Sequence, residues 1–372
     1  MLTFEQYINE QRIDELSSDL LKRAAIAAKN RNAGKVDART RRFEKAAIDA
    51  LKREIAQSEI DTTDMLVSKN TQKYELYKQE GNFWRIRALK DIKLSSGDII
   101  KTGSLGGLVE SEKNLSQDGT CWIFEDAKVY GNAKVYGNAQ IYSGAEVYGN
   151  AKVYDEAKVY WFAAVYDNAA VYDNAKVCHS KIYNNANVSG NAYINDNVKI
   201  YDNAKIYDNA KIYDMAQVYG QATVYGNAKV NSNAWVYGNA KIYDNADIEN
   251  AKVYENAKVY GKAYIRDSAK TFGKAEVYDN AEVTDSANIY GDAKVYGKAW
   301  ISDYAKVFDK AKVGDQALVY DEAKVYGEAQ VYGKAQVYGK AQVYGKAQVY
   351  GKAKVYGEAQ AYDDKIYTTE LH

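Results

Sequence analysis

Three adjacent residues, Cys178, His179 and Ser180, have the side chains in this 372-residue chain that best suit catalysis. A thiol or a hydroxyl next to an imidazole could act as a nucleophile with its general base. Catalytic partners usually come from separate parts of a chain, because adjacent residues seldom point at one reacting atom. Small polar residues are also common in tight corners, and these three lie where the repeat of this chain is one residue short. We therefore predict that the chain is not an enzyme.

Metal and cofactor sites are also not predicted. The chain has two histidines, His179 and His372, and two cysteines, Cys121 and Cys178. A zinc site needs three or four such ligands at short, recognisable spacings, and these residues do not have them. The glycines lack the Lys-Ser or Lys-Thr that completes a phosphate-binding loop. We expect no cofactor, no metal ion and two isolated, reduced thiols.

The charge balance argues against two classes of partner. Lys and Arg together number 50, as do Asp and Glu, so the formal net charge is zero. A neutral chain has no bulk attraction to nucleic acid or to an anionic membrane. The sequence also has no apolar run of transmembrane length and no apolar secretory core near its start. We expect no membrane partner and do not favour nucleic acid.

A six-residue repeat, typified by residues 127–132 (Ala-Lys-Val-Tyr-Gly-Asn), fills residues 123–362. Residues two apart on a strand share a face, so Ala127 and Val129 point inward together. The residue between them points outward, and we call its place in the unit the leading position. The residue after the aliphatic also points outward, and we call its place the trailing position. Gly, Asn and Asp at the end of each unit suit a tight corner. Because so short a unit cannot bury its own apolar face, the repeat predicts a mainly β, triangular solenoid with 18 residues per coil.

One face of this solenoid differs from the other two. The trailing position is Tyr or Phe in most units, and seven of its nine exceptions recur every third unit, on what we name the irregular face. They are Cys178, Asn195, Asn231, Glu249, Arg266, Thr284 and Ser302; the other two exceptions are Ser189 and Gly314. The corner after the irregular face has two units that are one residue short and carries Trp161, Phe162, Met215 and Tyr304 in place of Gly and Asn.

The irregular face is the predicted binding surface. Its leading positions include aromatic residues where Lys, Gln or Glu is usual, and aromatic residues mixed with polar ones suit a protein interface. The predicted binding residues are Tyr193, Asn195, Asn231, Tyr264, Arg266, Thr284, Trp300 and Ser302. The partner could be another protein, the chain's own helices or a second copy that forms a homo-oligomer.

The remaining segments surround the solenoid. Apolar residues at helical spacing predict a helical hairpin over residues 11–60, and a polar linker follows over 61–73. Residues 74–122 predict a β-rich N-terminal cap, with Gly106-Gly107 expected to form a turn. Residues 363–372 are expected to cover the C-terminal end, because an open ladder edge would pair with other chains.

The repeat resembles the hexapeptide repeat of left-handed β-helix proteins, in which a small residue follows the aliphatic by four places. This resemblance implies a single-stranded, left-handed β-helix. It also brings an alternative function, because that superfamily includes acyltransferases as well as zinc carbonic anhydrases. The cap and its repeats are also similar to a family of phage and prophage proteins without a defined activity. That similarity rests on residues 84–90, 106–110, 114–116 and 121–122.

The first ten residues resemble the capsid-targeting sequence of internal head proteins in T-even-like bacteriophages. The matching residues are Thr3, Phe4, Tyr7, Ile8 and Glu10, with the two aromatics exchanged relative to the usual order. The resemblance implies cleavage by the prohead protease between Glu10 and Gln11. It implies the prohead scaffold and protease as partners, and the interior of the head as the location. An amphipathic first helical turn is the alternative explanation of the same residues.

These observations predict a non-enzymatic bacteriophage protein that is packaged in the head and acts as a rigid binding rod. Delivery with the DNA would take it into the host cytoplasm, where it would meet an unknown host protein. The alternatives are an adhesin or tail-associated rod on the outside of the particle, and an acyltransferase of the hexapeptide superfamily.

Overall fold

The computed structural model describes residues 72–367 and 370–372 and confirms a mainly β, parallel solenoid of about 15 turns. The predicted targeting peptide 1–10, the helical hairpin 11–60 and most of the linker 61–73 lie outside the described residues. Within the described part of the chain, the helical structure is one 3₁₀ turn, Glu112–Asn114. The left-handed sense of the coiling stays a prediction.

Three parallel sheets form the sides of the solenoid. Face A comprises Leu105–Val109, Lys128–Val129, Glu146–Val147, Ala164–Val165, Lys181–Ile182, Lys199–Ile200, Gln217–Val218, Trp235–Val236, Lys252–Val253, Lys270–Thr271, Asn288–Ile289, Lys306–Val307, Lys324–Val325, Gln342–Tyr344 and Gln360–Tyr362. Face B comprises Lys134–Val135, Lys152–Val153, Ala170–Val171, Asn187–Val188, Lys205–Ile206, Thr223–Val224, Lys241–Ile242, Lys258–Val259, Glu276–Val277, Lys294–Val295, Lys312–Val313, Gln330–Val331, Gln348–Tyr350 and Lys365–Tyr367. The irregular face comprises Trp122–Ile123, Gln140–Ile141, Lys158–Tyr160, Lys176–Cys178, Tyr193–Ile194, Lys211–Ile212, Lys229–Asn231, Asp247–Glu249, Tyr264–Ile265, Glu282–Val283, Trp300–Ile301, Leu318–Val319, Gln336–Val337, Lys354–Val355 and Glu370–Leu371.

The register places each unit on the unit three ahead of it. Val129 pairs with Val147, and Val147 pairs with Val165, so the predicted coil of 18 residues is confirmed. The inward Ala and Val or Ile of successive coils are completely buried and form one continuous core. Backbone amides bond to the next coil, as in Lys152 N–H to Ala169 O at 2.9 Å. Burial of these aliphatic side chains, each at about 1.5–3 kcal/mol, is the main stabilising contribution.

The corners use residues that accept a left-handed backbone. Gly or Asp is usual at the first corner position, with a φ near 67° at Gly226 and 57° at Asp208. The Asp carboxylate accepts a hydrogen bond from the corner amide of the next coil, as from Gly226 N–H to Asp208 at 3.1 Å. Asn side chains also donate to one another along a corner, for example Asn150 to Asn168 at 3.0 Å. These bonds link coils outside the strands themselves.

The trailing tyrosines stack from coil to coil. Face A carries an unbroken stack from Tyr130 to Tyr362, whose ring centroids lie 4.8 to 5.1 Å apart. Face B carries three shorter stacks, which end where Ser189 and Gly314 replace the ring. An aromatic pair contributes about 0.5–1.5 kcal/mol beyond its buried area, so these stacks stabilise the coil interfaces.

A small antiparallel cap precedes the first coil. Its strands are Tyr74–Glu80 and Phe83–Ala88, which pair with each other, and a short hairpin of Ile92–Lys93 with Ile99–Ile100. The predicted turn at Gly106-Gly107 is wrong, because both residues lie in the strand Leu105–Val109. They are glycine for lack of space: a Cβ at either position would overlap a neighbouring Ile side chain and a backbone oxygen.

The parallel ladder extends beyond residues 123–362 at both ends. Leu105–Val109 pairs with Lys128–Val129 and so forms the first rung of face A. At the other end, Lys365–Tyr367 and Glu370–Leu371 pair with Gln348–Tyr350 and Lys354–Val355. These end segments lack the Gly-Asn corner but keep an aliphatic residue at the inward position. The inward aliphatic is therefore sufficient for a rung.

Candidate binding face

The structure brings the eight predicted binding residues to one sheet. Along the leading positions, Tyr264 pairs with Glu282, and Glu282 pairs with Trp300. Tyr193 lies four rungs before Tyr264 in the same column. The trailing column contains the other predicted residues, Asn195, Asn231, Arg266, Thr284 and Ser302. The prediction that seven of nine tyrosine-poor units share one face is confirmed by this register.

Burial divides the predicted residues into two groups. Asn231, Thr284 and Ser302 expose only 6%, 1% and 1% of their surface, so they have little area to offer a partner. Thr284 donates to the neighbouring Asp285 at 2.7 Å, and Ser302 to the neighbouring Asp303 at 3.0 Å. Asn231 donates to Asp247 of the next coil at 3.0 Å. The corner aspartates thus satisfy the small polar residues that replace tyrosine. The accessible members of the predicted set are Tyr193, Tyr264 and Trp300 in the leading column, together with Asn195 and Arg266.

An aromatic and charged cluster occupies the middle of the irregular face. The Tyr264 hydroxyl donates to the Glu249 carboxylate, and the Arg266 guanidinium pairs with Glu282 at 2.8 Å. The same guanidinium lies 5.4 Å from the centre of the Tyr264 ring. Burial and the adjacent Glu249 carboxylate raise the pKa of Tyr264, so its hydroxyl stays a donor at neutral pH. Trp300 follows in the same column and is 38% exposed.

Charge is unevenly distributed along the leading column. The first half carries Lys158, Lys176, Lys211 and Lys229, interrupted by Tyr193. The second half carries Asp247 and Glu282 among Tyr264, Trp300 and Leu318. Where the halves meet, Lys229 lies 3.9 Å from Asp247. Each of the other two faces has a single acidic residue in its described leading column, Glu146 on face A and Glu276 on face B.

The corner after the irregular face exposes large apolar side chains. Trp161, Phe162, Met215 and Tyr304 are 52%, 72%, 53% and 66% exposed. Trp161 and Phe162 also have positive φ values, 49° and 56°. A bulky residue in that conformation costs about 1–2 kcal/mol. Stability therefore does not explain this pair, and exposed aromatic residues beside a sheet are typical anchors of a protein interface.

The Cys178, His179 and Ser180 cluster lies at the same corner. The Cys178 thiol and the His179 Nδ1 are 4.0 Å apart. Burial raises the pKa of the Cys178 thiol to about 11, which disfavours the reactive thiolate. The Ser180 hydroxyl accepts a hydrogen bond from Val198 N–H at 3.3 Å, and so supports the next coil. The His179 ring packs against Trp161 and Phe162.

A second buried group, not predicted from the sequence, fixes the cap to the first coil. Lys73 is 1% exposed, and its ammonium donates to the backbone oxygens of Cys121 at 3.0 Å and Asp118 at 3.2 Å. The Cys121 sulfur lies 3.1 Å from the same nitrogen. Burial lowers the pKa of Lys73 and raises that of Cys121. Because carbonyl oxygens satisfy the cation, we interpret this as a structural anchor.

The described residues contain no set of three His, Cys, Asp or Glu side chains that could hold a metal ion. Across residues 72–367 and 370–372, no helix has both the length and the apolarity needed to span a bilayer. No known protein-family model matches the chain, and no curated protein is similar to it.

Proposed function

We propose that this protein is a non-enzymatic rod of a bacteriophage particle that binds protein through its irregular face. The observation that carries the binding proposal is the concentration of departures from the repeat on one side. There, Tyr193, Tyr264 and Trp300 replace the usual lysine, and Trp161 and Phe162 replace the usual Gly and Asn. The other two faces keep the stacked tyrosines, which the coil interfaces need for their own stability.

The particle assignment is supported by the resemblance of residues 1–10 to capsid-targeting peptides. Mass spectrometry of purified particles tests it directly. The protein is expected inside the particle with Gln11 as its first residue. Absence of the protein, or an intact Met1 terminus in mature heads, would contradict packaging by this route. Antibody labelling of intact particles separates this proposal from an external adhesin or tail-associated rod, which would be labelled without disruption.

The binding proposal has its own test in the assembled particle. Benzoylphenylalanine in place of Tyr264 should cross-link to a bound protein when particles are irradiated. The matched control places the same group at Lys241, a leading position of face B where the surrounding units follow the repeat. Equal cross-linking from both positions would show that the irregular face has no special role.

A triple variant tests the surface chemistry. With the cross-linking group placed at Tyr193 instead, the changes Tyr264→Lys, Arg266→Tyr and Trp300→Lys return the cluster to the repeat. The fold is expected to be retained and the cross-linked product from residue 193 lost. The control variant makes the same kind of change on face B, with Thr223→Lys and Gln330→Lys. Binding that survives the first variant would contradict the proposed surface.

A further inference from the structure

We propose that the irregular face binds a second copy of this chain, with the two rods antiparallel about a twofold axis at the rung of Lys229. This inference rests on the proposed use of the irregular face as a binding surface, and it names the occupant. The carrying observation is that the two halves of the leading column are complementary in charge and chemistry.

Such pairing requires faces that stay in register over many rungs. The ring stacks of face A measure the rotation between coils. The ring centroids of Tyr166–Tyr183, Tyr183–Tyr201 and Tyr201–Tyr219 lie 5.0, 4.9 and 4.8 Å apart. These distances are close to the spacing of about 4.8 Å between neighbouring strands, so each ring lies almost directly over the one before it. Successive coils therefore rotate little relative to one another. Two such faces can meet rung by rung, with the cap hairpin beside the first half of each face, where Ser95 and Ser96 line one groove with Lys158, Lys176 and Tyr193.

The proposed axis passes through the Lys229 rung and runs parallel to the strands. It sets each rung before Lys229 in one rod opposite the rung that lies equally far after Lys229 in the other rod. Every contact then occurs twice except the one on the axis, where Lys229 meets its own copy with the Asp247 carboxylate of each chain 3.9 Å from its ammonium. The leading pairs that result are Lys211 with Asp247, Tyr193 with Tyr264, Lys176 with Glu282, and Lys158 with Trp300. Two of these pairs join opposite charges, one joins two aromatic rings, and one sets an ammonium against an indole.

Other arrangements of the same face are poorer. Parallel rods in register would set each lysine against its own copy, which repels. An antiparallel axis between Lys229 and Asp247 would pair these two residues but would set Lys211 against Tyr264 and Tyr193 against Glu282. It keeps one kind of ion pair instead of two. Faces A and B, with one acid each in their described leading columns, offer no comparable match.

Two further features agree with the Lys229 axis. In the trailing column it places Asn195 opposite Arg266. Both residues are partly exposed, so an amide and a guanidinium would meet there. An axis parallel to the strands also keeps the same corner of both rods on one side. Phe162, four rungs before the axis, then lies opposite the Tyr304 corner, four rungs after it.

The contact area suits a stable dimer. The rungs from Lys158 to Trp300 span about 38 Å at about 4.8 Å per rung, and a side of six residues is about 20 Å wide. Two such faces would bury about 1,500 Å² in total, which lies in the range of specific protein interfaces.

Analytical ultracentrifugation of the full chain tests the proposal. We expect a dimer. Lys176→Glu and Glu282→Lys should each raise its dissociation constant at least tenfold, and a chain that carries both changes should recover the original dissociation constant. The control Lys152→Glu, at an exposed leading position of face B, should leave the dimer unchanged. Far-UV circular dichroism identifies any variant that does not fold. A monomer at all concentrations, or a dimer that is indifferent to all three changes, would overturn the proposal.

Disulfide trapping tests the register of the two rods without the charge variants, so its result does not depend on whether those variants fold. Tyr193→Cys mixed with Tyr264→Cys should form a covalent dimer on mild oxidation, and neither variant should do so alone. Both native thiols are buried and do not compete. A monomeric chain that still cross-links from residue 264 to a different protein in particles would overturn this inference and support the proposed function. A chain that does neither would contradict both.

Discussion

Thr271 offers a sharp test of how the core of this solenoid is stabilised. It occupies the inward position of face A, between Val253 on one rung and Ile289 on the next, and it is completely buried. Its hydroxyl has no hydrogen-bond partner among the described residues. Leaving a buried hydroxyl unpaired costs about 1–3 kcal/mol. Thr271→Val keeps the shape and removes that polar group, so it should stabilise the surrounding coils by about that amount.

Native-state hydrogen exchange is the appropriate assay, because a long repeat array need not unfold in one step. Amides of the coils around residue 271 should exchange about 5-fold to 140-fold more slowly, since each factor of ten corresponds to about 1.4 kcal/mol. The reverse change on the adjacent rung, Val253→Thr, should accelerate exchange by a similar factor. Thr284→Val is the second control, because the Thr284 hydroxyl already bonds to Asp285 and should give no gain. Unchanged protection in Thr271→Val, or a gain in Thr284→Val, would refute the reasoning.

Three further predictions concern the stacks, the thiols and the cap. Gly314→Tyr should raise the thermal midpoint, because a new ring would push the Tyr296 ring back into line and join two stacks of face B, whereas Gly314→Ala should not. Cys121 and Cys178 should both resist alkylation at pH 8 in the folded chain and react once the chain is unfolded. Rapid alkylation of either thiol in the native protein would contradict their burial. Bonds from Lys101 and Thr102 lower the pKa of Asp91 to about 2, so its contribution to the cap hairpin is present above about pH 4 and lost as the pH falls towards 2. The protection factors of the hairpin amides, which correct for the intrinsic effect of pH on exchange, should fall over that range, and Asp91→Asn should abolish this fall.

The repeat determines most of the fold because each unit contains both the inward residues of its strand and the residues of its corner. Ala127 and Val129 specify what points inward, and the corner residues specify where the strand ends. The period of three units was also readable, since the tyrosine-poor units fell on one face. A periodic sequence favours such inference, because the same residue pattern recurs in many units and an error in assigning one unit does not change the assignment of the others.

Features that depend on contacts between different segments were not predictable in the same way. The glycines at 106 and 107 are the type that often marks a turn, and only the approach of Ile86 and Ile123 explains why they lie in a strand. The burial of Thr284 and Ser302 depends on their short side chains and on a bond to the next residue. The Lys73 anchor joins the start of the described chain to a corner of the first coil. None of these has a periodic signal.

The irregular face gives up stability that the other faces keep. Of its eight rungs from Cys178 to Ser302, only one carries a trailing tyrosine, Tyr213, and the stack that runs unbroken along face A is absent there. Each missing aromatic pair forgoes about 0.5–1.5 kcal/mol. The replacements keep the rungs intact, because small polar residues bond to the corner aspartates, while the leading column gains acids and aromatic rings that the core does not need. A sequence optimised for the rod alone would have kept the tyrosines, and a loss confined to one face is what the proposed binding surface predicts.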